Sequence, residues 1–183
     1  GYGTAIVGTV SGDSITFGTP VAFSSNGAIA WNSATYDSVN NKVVIAYQDS
    51  GNSGYGTAIV GEVSGDSITF GSSVAFNSNG TTTYISSTYD PVANKVIIAY
   101  KDTGNSGYGT AAVGTVSGDS ISFGSPVVFN RAATEHASST YDTAANKVVI
   151  AYTDYGNSSY GTAVAGTVSG DSISFGTPTV FNS

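Results

Sequence analysis

Gly1-Tyr2-Gly3-Thr4-Ala5 returns as Gly54-Tyr55-Gly56-Thr57-Ala58, as Gly107-Tyr108-Gly109-Thr110-Ala111 and as Ser159-Tyr160-Gly161-Thr162-Ala163. The tyrosines stand 53, 53 and 52 residues apart, so the chain is an array of one supersecondary unit. Within each period four strand-like runs recur, Thr4 to Val10, Ile15 to Phe23 broken at Gly18, the stretch ending at Tyr36, and Lys42 to Tyr47. Clusters of Gly, Ser, Asp and Asn separate them, as turns between short strands require. The predicted fold class is all-β, a β-propeller of ~53-residue, four-stranded blades.

The apolar pattern selects this architecture over its rivals. Val43 to Tyr47, Ile6 with Val7, and Ile97 with Ile98 put apolar groups on both faces of a strand. A two-layer sandwich leaves one face of each sheet wet, whereas sheets stacked between two neighbours are dry on both. A β-solenoid or another stacked-sheet array also buries both faces and is the alternative, although solenoid coils are shorter than this period.

Ser11-Gly12-Asp13-Ser14-Ile15-Thr16-Phe17 recurs at Ser64 to Phe70, Ser117 to Phe123 and Ser169 to Phe175. It resembles the Asp-box of sialidase-like propellers, found in bacterial and phage extracellular proteins. That motif reads Ser-x-Asp-x-Gly-x-Thr-Trp; here the glycine is missing and Phe replaces Trp. The resemblance implies a hairpin between the third and fourth strands of a blade, with Asp13, Asp66, Asp119 and Asp171 accepting hydrogen bonds from turn backbone. So phased, blades span ~26–77, ~78–130 and ~131–183 of a single repeat domain, and residues ~1–25 form a half-blade. Four outer hairpins accompany three inner ones, so the expectation is self-association or a longer parent chain.

The 183 residues suffice for a sizeable core, and 40% hydrophobic with 11% aromatic content supplies one. A net charge of −7, with five Lys and Arg in all, leaves no basic stripe for nucleic acid. No apolar run approaches the ~20 residues of a membrane-spanning helix, and no membrane insertion is expected. The absence of Cys removes disulfides and thiolate chemistry, and from the absence of Met a processed product or a piece of something longer is expected. The expected location is extracellular, on a cell or virion surface.

Polar residues present in every repeat point to turns. Asp37, Asp90 and Asp142, with Asn41, Asn94 and Asn146, bracket the turn between the inner strands; Asp49, Asp102 and Asp154 open a second turn. Each such loop offers one carboxylate where calcium loops use several, so no metal is expected.

Positions that break the repeat are the better functional candidates. Five residues before Tyr36, Tyr89 and Tyr141 stand Trp31, Tyr84 and His136, three different flat rings in one equivalent place. Such rings can stack on the C–H face of a sugar. Arg131, Glu135 and His136 also cluster, combining the only Arg, one of two Glu and the only His. A glycoside-acting enzyme would use them as anchor, acid and base, but the second acid, Glu62, sits in another repeat where Thr9, Thr115 and Thr167 stand. The sialidase resemblance implies a three-arginine clamp, and this chain has one arginine. The reading is a non-enzymatic module with no catalytic residues and no cofactor, binding a glycan or acting as an adhesin. Its rival is a structural subunit of a fibre, filament or surface appendage.

Overall fold

The computed structural model describes all residues from Gly1 to Ser183, and its regular elements are all β-strands apart from two single-turn 3₁₀ segments, Ser50–Asn52 and Thr103–Asn105. Residues at the N-terminus form two separate two-stranded ladders, together the counterpart of part of a full sheet and called the incomplete sheet below, from β1 (Gly3–Ala5), β2 (Gly8–Ser11), β3 (Ser14–Phe17) and β4 (Val21–Ser24). β1 pairs with β4 and β2 with β3. The first full sheet contains β5 (Ile29–Asp37), β6 (Lys42–Asp49), β7 (Tyr55–Ser64), β8 (Ser67–Phe70) and β9 (Val74–Asn77). The second contains β10 (Thr82–Asp90), β11 (Lys95–Asp102), β12 (Tyr108–Ser117), β13 (Ser120–Phe123) and the start of β14 (Val127–Asp142). The third takes the rest of β14 with β15 (Lys147–Asp154), β16 (Tyr160–Ser169), β17 (Ser172–Phe175) and β18 (Thr179–Asn182).

Each full sheet is an antiparallel meander, and none closes into a barrel. In the first, β5 pairs with β6, β6 with β7, and β7 with both β8 and β9. β8 and β9 are thus two halves of one outer strand, interrupted at Gly71. The break allows a close approach: a Cβ on Gly71 would stand 1.8 Å from the carbonyl oxygen of Asp119 in the next sheet. Gly18 and Gly124 meet the carbonyls of Asp66 and Asp171 in the same way. Only a residue without a side chain lets the sheets stack at this distance.

Both faces of the central strands are dry, as the doubled apolar pattern requires. Ile97 and Ile98, neighbours in β11 with side chains on opposite faces, are both fully buried. Ile98 joins Val44, Val60 and Phe76 of the first sheet, while Ile97 joins Ile150, Val164 and Ile173 of the third. A smaller layer of Ile45, Tyr47 and Ile59 is covered by Ala5 and Phe23 of the incomplete sheet. An aromatic pair recurs at every junction, with centroid separations of 5.8 Å for Phe23–Phe70, 5.8 Å for Phe76–Phe123 and 5.7 Å for Phe129–Phe175.

Three details depart from the sequence reading. The run Thr4 to Val10 is broken into β1 and β2, because it lacks the inner neighbour that β6 gives β7 and only its outer side is paired. The boundary placed at residues 130 and 131 lies inside β14, which pairs with β12 through Ala133 and with β15 from Thr134 onward. The corresponding link after β9 contains Gly80 with φ 156°; Arg131-Ala132-Ala133 has no glycine, is one residue shorter and stays extended. Finally, Asp13, Asp66, Asp119 and Asp171 occupy the hairpin turns but accept no bond from turn backbone. Asp66 accepts from Thr9, Asp119 from Lys42, and Asp171 from Lys95 and Thr115, all across a sheet junction. At Asp119 and Asp171 the long lysine stem reaches the neighbouring hairpin, and a charged donor outcompetes a backbone amide.

Candidate aromatic ladder

Every full sheet begins with a free edge, formed by β5, by β10 and by the second part of β14. These edges are tied side by side by hydroxyls: Ser33 Oγ lies 3.0 Å from Ser87 Oγ, and Ser86 Oγ lies 3.0 Å from Ser139 Oγ. Each edge carries one β-bulge near its start. Ala30 pairs with Gln48 and Ser33 with Ala46, so Trp31 and Asn32 together oppose Tyr47. Tyr84 with Ile85 opposes Tyr100, and His136 with Ala137 opposes Tyr152, in the same register.

The first bulge residue adopts the left-handed conformation, with φ 51° at Trp31, 52° at Tyr84 and 53° at His136. Glycine is the usual occupant of such a bulge, and asparagine tolerates it, as Asn41, Asn94 and Asn146 do elsewhere here. Bulky rings are held there at a conformational cost of about 1–2 kcal/mol each. The bulges bring the three rings into contact in a row along the edges, one pair tilted and the other edge-on. Trp31 and Tyr84 have centroids 4.4 Å apart at 47°, and Tyr84 and His136 4.9 Å apart at 62°. Trp31 remains 44% exposed, Tyr84 is half-buried and His136 is exposed, so the ladder is open to solvent at both ends.

A polar group flanks the ladder. Lys101 Nζ donates to Glu135 Oε1 at 2.9 Å and sits 5.6 Å from the Tyr84 ring centroid. Tyr155 Oη donates to Glu135 Oε2 at 3.1 Å. The Lys101 ammonium, aided by Tyr155, holds the Glu135 carboxyl below its usual range. Burial, then Glu135, pushes the Tyr84 phenol up. Tyr100 and Tyr152, opposite the bulges, are buried with hydroxyls that meet no partner. Burial pushes the Tyr152 phenol up to about 12.

The structure therefore brings together Trp31, Tyr84, His136 and Glu135. Arg131 lies exposed upstream in β14 and makes no ion pair. Glu62 is remote from the ladder, near the far end of β7, where it is bonded to Lys42 at 2.7 Å. Sequence reading missed Lys101 and Tyr155, although the same signal marks them: Lys101 stands where Gln48 and Thr153 do, and Tyr155 where Ser50 and Thr103 do. None of the turn aspartates hydrogen-bonds a ladder ring. Asp49, Asp102 and Asp154 accept from the amides of Gly51, Gly104 and Gly156. Asp37, Asp90 and Asp142 cap the opposite turn, where Asn41, Asn94 and Asn146 accept from the phenols of Tyr36, Tyr89 and Tyr141.

No group of His, Asp and Glu with metal-binding spacing occurs, and the surface carries no enclosed pocket. Comparison with models of protein families, with characterised proteins and with solved structures finds no match to this chain.

Proposed function

We propose that this chain is a segment of an extracellular β-propeller that binds glycans without transforming them, and that the ladder of Trp31, Tyr84 and His136 is its binding surface. The observation that carries the reading is the left-handed backbone beneath all three rings. The scaffold needs only a glycine there, and a costly conformation persisting in three sheets under three chemically different rings is what a function selected at that spot produces. Open aromatic faces suit the C–H face of a sugar ring, and the Lys101–Glu135 pair with the Tyr155 hydroxyl offers donors and acceptors for sugar hydroxyls. Lys101 and Glu135 cancel in charge, and the whole chain carries −7, which disfavours polyanionic glycans and points to neutral ones.

The propeller reading is supported by four-stranded meanders whose outer strand leads to the inner edge of the next sheet, and by inner edges bonded directly to one another. The test is retention on an array of neutral and acidic glycans. The expected result is saturable binding to a neutral class, lost in Trp31→Ala and Tyr84→Ala while their unfolding midpoints stay close to that of the parent. No retention, or retention indifferent to both substitutions, overturns the reading.

A further inference from the structure

We infer that the two steps of the ladder are unequal, and that Lys101, Glu135 and Tyr155 make the step between Tyr84 and His136 a subsite for two adjacent hydroxyls of one neutral pyranose. The inference rests on the reading of the ladder as a glycan surface and names what that surface selects. Two junctions inside the molecule can be compared. Lys101 of the second sheet stands where Gln48 does in the first, and Glu135 and Tyr155 of the third stand where Thr83 and Thr103 do in the second. Three departures from the repeat, carried on two sheets, thus converge at one junction. Independent drift gives no reason for them to meet.

The residues are bonded where they meet. Lys101 Nζ donates to Glu135 Oε1 at 2.9 Å, and Tyr155 Oη donates to Glu135 Oε2 at 3.1 Å. At the first junction the equivalent residues carry no charge, and Thr103 turns to the Thr81 carbonyl at 2.7 Å. The charged cluster has bonding capacity left over. An ammonium carries three donors, of which Lys101 gives one to Glu135, and a carboxylate offers about four acceptor sites, of which Lys101 and Tyr155 take two. The side chains of Lys101 and Glu135 are 18% and 24% exposed, so a ligand reaches them while water competes weakly. The Lys101 ammonium lies 5.6 Å from the Tyr84 ring centroid, which sets the polar cluster against the ladder itself.

That geometry sets the ligand chemistry. Adjacent hydroxyl oxygens on a pyranose, unless both are axial and opposed, stand about one hydrogen-bond length apart, which is the separation of Lys101 Nζ from Glu135 Oε1. One hydroxyl accepts from Lys101 while its neighbour donates to Glu135, and the C–H face of the same sugar rests on the ladder. An isolated hydroxyl leaves one of the two charged groups unanswered. An acidic sugar gains little, because Glu135 already neutralises the lysine and repels a second carboxylate.

The test uses the whole chain on the neutral glycan that retains it, with methyl glucoside, galactoside and mannoside and their singly deoxygenated forms as soluble competitors. For one of these hexosides, removing either of two adjacent hydroxyls is expected to raise the competitor concentration needed by at least about tenfold, since hydrogen bonds to charged groups are the strong ones. A triple variant, Lys101→Gln with Glu135→Thr and Tyr155→Thr, gives the second junction the residues of the first. It is expected to fold, to depend still on Trp31 for retention, and to lose that discrimination. Glu135→Gln alone makes the same comparison where the triple variant fails to fold. An ion pair with a merely structural role would lower the unfolding midpoint on removal and leave the preference among deoxygenated sugars as it was. A parent indifferent to deoxygenation, a variant that discriminates as the parent does, or a folded variant that retains no glycan overturns the inference while the ladder reading stands. A parent that retains no neutral glycan, or retains one regardless of Trp31→Ala, overturns the ladder reading and this inference together.

Discussion

Lys95 Nζ stands 2.7 Å from Asp171 Oδ1 and joins the second sheet to the third, with Lys42 reaching Asp119 in the same manner at 2.8 Å one sheet earlier. The two partners of each pair lie 76 or 77 residues apart, more than one full repeat, so the contact locks neighbouring repeats in register rather than stabilising either alone.

Acid should loosen that lock. Lys95, then Thr115, holds the Asp171 carboxyl below its ordinary value of 3.8. A carboxyl depressed in the folded state contributes stability that is present above 3.8 and is lost as pH falls through the lower folded value. The Lys42 ammonium is held above 10.5 by Asp119 and Glu62, so its contribution is present below 10.5 and is lost at higher pH. The thermal midpoint is therefore expected to decline below pH 3.8, and the decline should be shallower in Asp171→Asn. Midpoints recorded by circular dichroism from pH 2 to 8 check this, and equal acid slopes for parent and variant would refute it.

The backbone under the ladder separates folding from binding at one residue. Tyr84→Gly relieves the left-handed strain that Tyr84→Ala retains, while both remove the ring. The glycine variant should be more stable than the alanine variant by about 1 kcal/mol, against the usual order of the two residues in a strand. Both should lose glycan retention alike. Urea unfolding gives the first comparison and the array the second; alanine proving the more stable would mean that the bulge relaxes when the ring is gone.

The repeat and the two-sided strands are legible in the sequence, because both are written in the order of residues along the chain and need no knowledge of how sheets stack. Trp31, Tyr84 and His136 emerged by setting repeats side by side, and Lys101 and Tyr155 were equally visible to that comparison but are polar surface types that draw less notice. The ring stacking and the left-handed bulge were not legible, since nothing in Thr83-Tyr84-Ile85 signals φ above zero and local propensity argues for regular strand. The partners of the hairpin aspartates were not legible for a related reason. Their turn setting is local, while the bonds from Thr9, Lys42 and Lys95 to Asp66, Asp119 and Asp171 are set by how one sheet stacks on another.

Gly124 and Gly176 hold the same place in successive repeats and should respond oppositely to one added methyl group. At Gly124 a Cβ would stand 1.9 Å from the Asp171 carbonyl oxygen, which is backbone and cannot swing aside, so the second and third sheets must separate there. Overpacking of this kind costs about 1–3 kcal/mol, and Gly124→Ala should lower the unfolding free energy by that amount at any protein concentration. At Gly176 the methyl group has room within the molecule. Gly176→Ala should leave the unfolding free energy within about 0.5 kcal/mol of the parent. Denaturant titrations of the two variants distinguish the cases. A loss of stability in Gly176→Ala equal to that in Gly124→Ala would show that the glycine serves its own sheet rather than the approach of a neighbouring one.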